Sequence, residues 1–381
     1  MLRSSFGISV LVCVSILTGT AAAQIRLNEV ARVPVGESPL GILASDLNGD
    51  SRVDLLTSNR DSGDLTLFLM PRSLRDRTQL FTAPLVIPTG FEPNQTFTAD
   101  FNEDGIVDIL THHRFDWAFA RLGLGDGSFG PPIRLSVTGN TNAATVGDFN
   151  GDGHQDVVVI SPGNQRGDLR VNFGTGTGTF LPGTREILLT GIGGVDEAIA
   201  LDVNDDGFDD LCLAGWFRGV LTLLIADGQG GFLPQRSLAA DDRSNGLIAR
   251  DLNDDGHMDF ALAHAKDEAT VSIFLGPGPL RTQVVETGGS IANSIEAADL
   301  DGDGTLELIV THRDSQDVVV LSPVAEPGRD WYAPVLRVDL ESGTPRDVTA
   351  AHLDGDERID LAVALQDGDA LVLLRNVTPR R

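Results

Sequence analysis

The sequence predicts an all-β fold, a seven-bladed β-propeller built from four-stranded antiparallel blades. Two observations lead to this prediction. A nine-residue acidic motif occurs seven times, with successive copies starting 48 to 54 residues apart. Each copy is flanked by short apolar runs that Gly and Asp residues bound, which is typical of strands rather than helices. About four such runs in a repeat of roughly 50 residues indicate one propeller blade.

The motif reads Asp-apolar-Asn-x-Asp-Gly-x-x-Asp. We call its copies loops one to seven; they are DLNGDSRVD (46–54), DFNEDGIVD (100–108), DFNGDGHQD (148–156), DVNDDGFDD (202–210), DLNDDGHMD (251–259), DLDGDGTLE (299–307) and HLDGDERID (352–360).

The strands of one repeat follow in a fixed order. A short run such as AATVG (143–147) precedes the loop, and an apolar, β-branched run such as VVVIS (157–161) follows it. A second apolar run comes next, as in TVSIFL (270–275), and many repeats then show a glycine turn that ends in an aromatic residue, as in GDGSF at Phe129. A last alternating run, such as IRLSV (133–137), completes four strands.

The two ends of the chain suggest how the ring closes. The seventh repeat supplies three strands and then stops near Thr378, so its outer strand is missing. An unassigned strand, 29–35, precedes the first loop. We expect this N-terminal strand to complete blade seven, because closure removes an unpaired edge.

The first 23 residues resemble a secretory leader. Arg3 precedes an apolar run at 8–17, and small residues lie before Gln24, so we expect cleavage after Ala23. We then expect residues 24–381 to form a single propeller domain with no membrane span. We also expect this domain to be a monomer. We expect the mature protein to be secreted, periplasmic or at the cell surface, and its lone Cys212 to be a buried apolar residue.

The charge balance is strongly acidic. The chain carries 55 acidic and 28 basic residues, a net charge of −27. Nucleic-acid binding needs clustered Lys and Arg side chains, so we expect no nucleic-acid partner. An excess of carboxylates suits a chain that handles cations.

The seven acidic loops and the glycine–aromatic turns resemble the FG-GAP/VCBS repeat family, whose best-known member is the integrin α-subunit propeller. The resemblance covers residues 25–377. It implies the propeller fold. It leaves the function open, because the family includes adhesion proteins, sugar-binding proteins and a few enzymes.

The loops are candidate calcium sites, because calcium is held by six to eight oxygen atoms and side chains at positions 1, 3, 5 and 9 of a tight loop can converge. The expected ligands are Asp46, Asn48, Asp50, Asp54, Asp100, Asn102, Asp104, Asp108, Asp148, Asn150, Asp152, Asp156, Asp202, Asn204, Asp206, Asp210, Asp251, Asn253, Asp255, Asp259, Asp299, Asp301, Asp303, Glu307, Asp354, Asp356 and Asp360.

We expect about six or seven structural calcium ions, bound with the affinity of extracellular modules, on the order of 10⁻⁴–10⁻³ M. Two loops depart from the pattern. Ser51 replaces the turn glycine of loop one, and in loop seven His352 replaces the first Asp and Glu357 the glycine. A neutral imidazole is a poor calcium ligand, so the seventh site stays open. The alternative for all seven is a metal-free polar turn.

The face opposite the loops is a candidate ligand surface. The loop joins the first two strands of a blade, so the start of strand one and the end of strand two meet at the other end of the ring. When the repeats are aligned, polar and cationic residues recur at these two positions, which suits an anionic or hydroxyl-rich ligand. The candidates are Asn59, Arg60, Asn94, His113, Arg114, Asn142, Asp196, Trp216, Asn245, His264, Asn293, His312 and Arg313.

These observations predict a secreted, calcium-binding propeller that serves as a ligand-binding or adhesion module for an extracellular carbohydrate or protein. One alternative is a polysaccharide lyase or hydrolase on the same face, with His113, His264 or His312 as the base and Arg114 or Arg313 neutralising a uronate. Another is a structural cell-surface scaffold. No catalytic residue set is identified, because the structural Asp residues hide any catalytic acid pair.

Overall fold

We describe the fold from a computed structural model. It describes residues 14–16, 25–71, 81, 83–90, 92–113, 117–137, 140–161, 166–181, 186–190, 194–234, 236–276, 281–326 and 329–379.

Within these residues the chain forms 29 strands and one 3₁₀ helix. In chain order they are β1 (Val14–Ile16), β2 (Leu27–Pro34), β3 (Pro39–Ser45), β4 (Asp54–Asn59), β5 (Asp64–Phe68), β6 (Leu85–Pro88), β7 (Pro93–Ala99), β8 (Asp108–His113), β9 (Ala118–Arg121), β10 (Ile133–Arg134), β11 (Ala143–Gly147), β12 (Asp156–Ser161), β13 (Arg166–Asn172), β14 (Glu186–Thr190), β15 (Val195–Leu201), β16 (Asp210–Gly215), β17 (Val220–Leu224), β18 (Arg236–Ala239), β19 (Ser244–Arg250), β20 (Asp259–His264), β21 (Thr270–Leu275), β22 (Arg281–Glu286), β23 (Ala292–Ala298), β24 (Glu307–His312), β25 (Asp317–Glu326), β26 (Arg329–Asp339), β27 (Pro345–Ala351), β28 (Asp360–Leu365), the helix Gln366–Gly368 and β29 (Ala370–Asn376).

The strands form seven antiparallel sheets, and each sheet is one blade. Blades one to six are built from consecutive sets of four strands, beginning at β3, β7, β11, β15, β19 and β23. Blade seven has the order β2-β29-β28-β27, so the N-terminal strand forms its outer edge. The seven-bladed all-β fold predicted from the sequence is confirmed, and β2 lies where ring closure requires it.

The core lies between the blades, around their second strands. Every residue of β4, β8, β12, β16, β20, β24 and β28 is buried. These strands carry near-continuous apolar sequences, as in Asp156–Ser161, because both faces of each pack against a neighbouring blade. Cys212 lies in this core as a free, fully buried thiol.

The first strand of each blade faces the central channel. These strands follow one another around the ring, from β3 through β7, β11, β15, β19 and β23 to β27, which returns to β3. Their residues are mostly half-buried, since one face packs on the blade and the other faces the channel. The channel therefore receives one set of side chains from each blade.

The glycine–aromatic turns join neighbouring blades. Phe180 of blade three packs edge-on against Phe101 of loop two, with ring centroids 5.3 Å apart. Phe232 of blade four packs in the same way against Phe149 of loop three at 5.8 Å. Each aromatic residue thus fastens its blade to the acidic loop of the preceding blade.

The expected leader lies almost wholly outside the described residues. Its one described segment, β1, pairs with β26 at the outer edge of blade six. Cleavage after Ala23 stays a prediction. No helix among the described residues is long and apolar enough to cross a membrane.

Candidate functional site

Loops two to six share one local geometry. In loop two, Asp100 accepts hydrogen bonds from the Gly105 N–H at 2.8 Å and the Asp104 N–H at 3.2 Å. The Asn102 amide donates to Asp104 at 2.9 Å. Gly105 has φ 82°, a left-handed conformation that favours glycine. The side chains at positions 1, 3 and 5 therefore crowd their oxygens at one end of the loop.

The other loops of this group repeat the arrangement. The first Asp accepts from the backbone N–H at position 6 in loops three, four, five and six, at 2.7 to 3.0 Å. Clustered carboxylates of this kind repel one another unless a cation neutralises them. The donor set, carboxylate and amide oxygens around a tight turn, fits a hard divalent cation such as calcium.

In loops one to five, the Asp at position 9 lies beneath the loop. Asp108 accepts hydrogen bonds from the Phe101 N–H at 2.8 Å and from the Gly123 N–H at 2.7 Å. This residue ties the start of the loop to the end of the third strand of its blade. The same paired contacts occur at Asp54, Asp156, Asp210 and Asp259.

Burial raises the pKa of these position-9 acids. The pKa of Asp156 rises to about 7, and those of Asp259 and Asp360 to about 6, despite backbone hydrogen bonds that favour the charged form. The sequence assigned position 9 to metal binding alone. Its anchoring role was missed, although its place at the first residue of every second strand was a visible signal.

Loop six brings the most complete acidic cluster together. Ligand atoms of Asp299, Asp301 and Glu307 all lie within 4.8 Å of one another. Glu307 reaches this group because its side chain is one methylene longer than the Asp of the other loops. One of its oxygens accepts from the Leu300 N–H at 2.8 Å. Among the described residues, this is the one group of three acidic side chains so closely spaced.

Loop seven is neutralised by arginine side chains. Arg375 lies 2.5 Å from Asp354 and 3.2 Å from Asp356. Arg358, at position 7 of the loop, donates to Asp356 at 2.7 Å. Burial acts to raise the pKa of Asp356, but the Arg358 and Arg375 hydrogen bonds outweigh it and hold that pKa below its usual value. His352 contacts the Arg358 carbonyl oxygen at 3.0 Å.

Loop one resembles loop seven. The Arg52 guanidinium, also at position 7, pairs with Asp50. Ser51 has φ 63° and Glu357 of loop seven has φ 65°, so both hold the left-handed conformation without glycine. The two loops that lack the turn glycine are thus the two that place arginine beside their acidic residues. This pairing of a missing glycine with an arginine at position 7 was visible in the sequence, and the predicted ion count did not take it into account.

At the opposite end of the ring, β-bulges aim one residue of each first strand at the channel. The register shifts by one residue at the start of β3, β7, β15, β19, β23 and β27. Bulges re-aim side chains and are frequent beside binding sites. The residues concerned are Leu40, Asn94, Asp196, Asn245, Asn293 and Arg346, with Asn142 in the equivalent place in blade three.

These residues line a cavity of about 370 Å³, which we call the cup. The other residues of the cup that matter to its chemistry are Gln95, Glu197, Asp347, Trp216, Phe217 and Arg313.

Amide and guanidinium groups form a hydrogen-bonded band along part of the wall of the cup. Asn245 donates to Asn293 at 3.0 Å, and Arg346 donates to the same Asn293 oxygen at 3.1 Å. Asn142 donates to Asp196 at 3.3 Å. The candidates Asn94, Trp216 and Arg313 also line the cup.

Carboxylates lie below this band. Gln95 of blade two donates to Glu197 of blade four at 2.9 Å, which bridges the channel across blade three. Asp347 accepts from Ser294 at 2.7 Å and from the Ile42 N–H at 2.9 Å, joining blades six, seven and one. Burial, reinforced by the Asp347 charge, raises the pKa of Glu197 to about 8. The sequence analysis missed Gln95, Glu197 and Asp347, because it aligned only the residue that precedes each of them at the start of the strand.

Several sequence candidates lie inside the blades and not on the cup. Asn59, His264 and His312 are fully buried, and His113 is 2% exposed. His312 contacts Asp317 at 2.7 Å and Thr287 at 2.7 Å, and His264 contacts Ser272 at 2.8 Å. Burial lowers the pKa of His113 and of His264 to about 4. These side chains hold strands together and do not line the cup.

The two remaining candidates are arginines. Arg60 bonds to Ser38 at 3.1 Å and to the adjacent Asp61 at 2.7 Å. Arg114 lies outside the described residues.

A family model described as "FG-GAP-like repeat" matches residues 46–111, 114–159, 148–213, 202–262 and 251–310. These matches span well over half of the chain. The protein belongs to the FG-GAP-like repeat family. The match begins at the first residue of loop one, and four of its five segments begin or restart at an acidic loop. The matched repeats thus contain loops one to six and the Asn residues of the cup. No curated protein matches the chain.

Solved structures share the propeller fold at low identity. The chain is similar to "BBS1N in complex with ARL6DN, soaked with mercury", with a TM-score of 0.64, 13% identity and coverage of 94% of this chain and 100% of that chain. For the lead-soaked form of the same complex, the TM-score is 0.62 and the identity 15%, with coverage of 93% of this chain and 97% of that chain. For the "WD40 beta propeller domain of Doa1", the TM-score is 0.60 and the identity 15%, with coverage of 92% of this chain and 97% of that chain. At such identity these similarities show the fold alone.

Proposed function

We propose that this protein is a secreted, calcium-binding β-propeller that acts as a ligand-binding or adhesion module for an extracellular carbohydrate or protein. The observation that carries the proposal is the cup. Six bulges bring side chains to one cavity, and five of these side chains are polar: three amides, one carboxylate and one guanidinium. Convergent polar groups in a concave site are typical of ligand pockets.

Calcium binds loops two to six in this proposal. Their position-1, position-3 and position-5 side chains present clustered oxygens, and a bound ion would supply the missing positive charge. Arginine already supplies that charge in loops one and seven. We therefore propose five calcium ions in place of the six or seven expected from the sequence. Their role is to hold the turns that join the first two strands of each blade.

Binding is favoured over catalysis because the candidate bases are buried. An enzyme acting through His113, His264 or His312 would need that imidazole at the substrate, within hydrogen-bond reach. Each of the three is instead enclosed in its blade. A protein ligand finds support in the similar propeller of BBS1N, which was solved in complex with ARL6DN.

Secretion is supported by the leader-like first 23 residues. The full chain, expressed with its own N-terminus in a bacterium, should release a product that starts at Gln24. Retention of the uncleaved chain in the cytosol would contradict this part of the proposal.

Ligand capture tests the central part. The secreted protein would be passed over immobilised neutral polysaccharides, uronate polysaccharides and extracellular-matrix proteins, in millimolar calcium. We expect saturable capture by one class, weakened at least tenfold by Asn293→Ala and unchanged by Asn28→Ala, a change on the exposed outer strand. Equal capture by both variants, or capture by none of the three classes, would overturn the proposal.

A further inference from the structure

Side chains link the blades at the floor of the cup. Gln95 of blade two and Glu197 of blade four meet at 2.9 Å, and Asp347 is held by blades six and one. A volume of about 370 Å³ lies near the lower end of the roughly 300–1,000 Å³ that small-ligand pockets span. The cup thus suits one compact group entering from outside.

The wall of the cup mixes both charges with neutral amides. Asp196 and Asp347 face Arg313 and Arg346, and Glu197 lies among them. The carboxylates would repel a polyanion, and the guanidinium groups would repel a cation, so the wall does not match either kind of charged ligand. Burial raises the pKa of Glu197 to about 8, which leaves that carboxyl mostly uncharged at neutral pH. A neutral ligand with many hydroxyl groups can both donate and accept at such a wall.

The rim adds an aromatic surface. Trp216 and Phe217 lie in the turn between β16 and β17, and both line the cup. Phe217 is 62% exposed. A Trp ring combines an apolar face with a polar N–H, so it can pack against the C–H face of a sugar ring while the amides bind hydroxyl groups.

We propose that the cup binds the terminal sugar of a neutral glycan, which enters end-on and packs against Trp216 at the rim. This inference rests on the proposed ligand-binding function and names its ligand class. The small volume suits the end of a chain, and the carboxylates of Asp196 and Asp347 disfavour the uronate that the sequence suggested. Asn94, Asn142 and Asn245 then face the hydroxyl groups of the bound sugar.

Calorimetric titration of the secreted protein with neutral oligosaccharides tests this directly. The panel holds linear di- and trisaccharides that differ in their terminal hexose, a cyclic oligosaccharide that has no chain end, and a uronate trisaccharide. We expect saturable binding of at least one linear neutral member, and none of the cyclic or uronate members. Trp216→Ala and Asn245→Ala should each weaken that binding at least tenfold.

Two checks keep the outcome decisive. Asn28→Ala should bind as the unaltered protein does, and the melting temperature of each variant reports whether it folds. If Trp216→Ala fails to fold, quenching of tryptophan fluorescence by the sugar, compared with Trp216→Phe, gives the same information. Binding of uronate or of a matrix protein at the cup, with no neutral sugar bound, would overturn this inference and leave the proposed function standing. Absence of every ligand class would overturn both.

Discussion

The Arg375 guanidinium lies 2.5 Å from the Asp354 carboxylate in the loop of blade seven. Arg358 reaches Asp356 of the same loop at 2.7 Å. Blade seven is where the chain ends meet, because β2 pairs with β29 there. Fixed arginine charges therefore neutralise the acidic loop of the blade that closes the ring.

Replacing Arg375 should weaken the fold even without calcium. Arg375→Gln leaves Asp354 and Asp356 partly buried and underneutralised, so we expect a loss of about 1–3 kcal/mol in the free energy of unfolding. Denaturant unfolding in a chelator measures it. Arg313→Gln is the matched control, because its ion pair with Asp314 is exposed on both sides and should contribute under about 1 kcal/mol. Equal losses in the two variants would contradict the assigned role of Arg375.

Calcium should stabilise the protein through loop two and not through loop seven. Asp104→Asn removes a ligand charge from loop two, and we expect it to reduce the rise in melting temperature that millimolar calcium causes. Asp356→Asn in loop seven should leave that calcium-induced rise unchanged, although it lowers the melting temperature itself. Thermal melts with and without calcium give both quantities. A smaller calcium effect in Asp356→Asn than in Asp104→Asn would contradict this assignment of the ion to loop two.

Glu197 should make the protein less stable as pH rises through neutrality. Burial raises its pKa from the ordinary value of 4.5 to about 8 in the folded chain. Between these values the folded chain holds a proton that the unfolded chain has lost, so stability is greatest below about pH 4.5 and falls as pH rises toward 8. Glu197→Gln cannot ionise and should flatten this part of the stability profile. Glu37→Gln changes an exposed residue and should leave the profile unchanged. Identical stability profiles for the unaltered protein and both variants would refute the raised pKa of Glu197.

His312 should matter for folding. It connects Thr287 and Asp317 in a fully buried network, so His312→Ala leaves both groups without this partner. We expect a loss of about 2–4 kcal/mol in the free energy of unfolding. His352→Ala, on an exposed loop residue, should cost under about 0.5 kcal/mol. Retained stability in His312→Ala would argue that its contacts are not structural.

The sequence predicted the fold because the repeat carries every signal of a blade. The period, the apolar runs and the glycine–aromatic turns all point to four strands, and nothing tertiary overrides them. The sequence also predicted which residues lie at the start of the first strand of a blade, on the face opposite the acidic loops. Asn94, Asn142, Asn245 and Asn293 all line the cup, as the column alignment indicated.

The sequence could not show which side of a strand a residue faces once a bulge intervenes. Each bulge shifts the alternation by one residue, so Glu197 and Asp347 join the cup together with the residues that precede them. The anchoring contacts of the position-9 acids were missed for a related reason. In loops one to five, each acid accepts from one backbone N–H seven residues earlier and from another at least 15 residues later, as Asp108 does from Phe101 and Gly123.

Counting bound calcium tests the ion-stabilised propeller most directly. Equilibrium dialysis of the secreted protein at calcium concentrations up to about 10 mM, above the extracellular affinity range, gives the number of ions per chain. We predict five, falling to four in Asp148→Asn and staying at five in Asp356→Asn. No bound calcium would contradict the ion-stabilised propeller, and seven ions would contradict the replacement of calcium by arginine in loops one and seven.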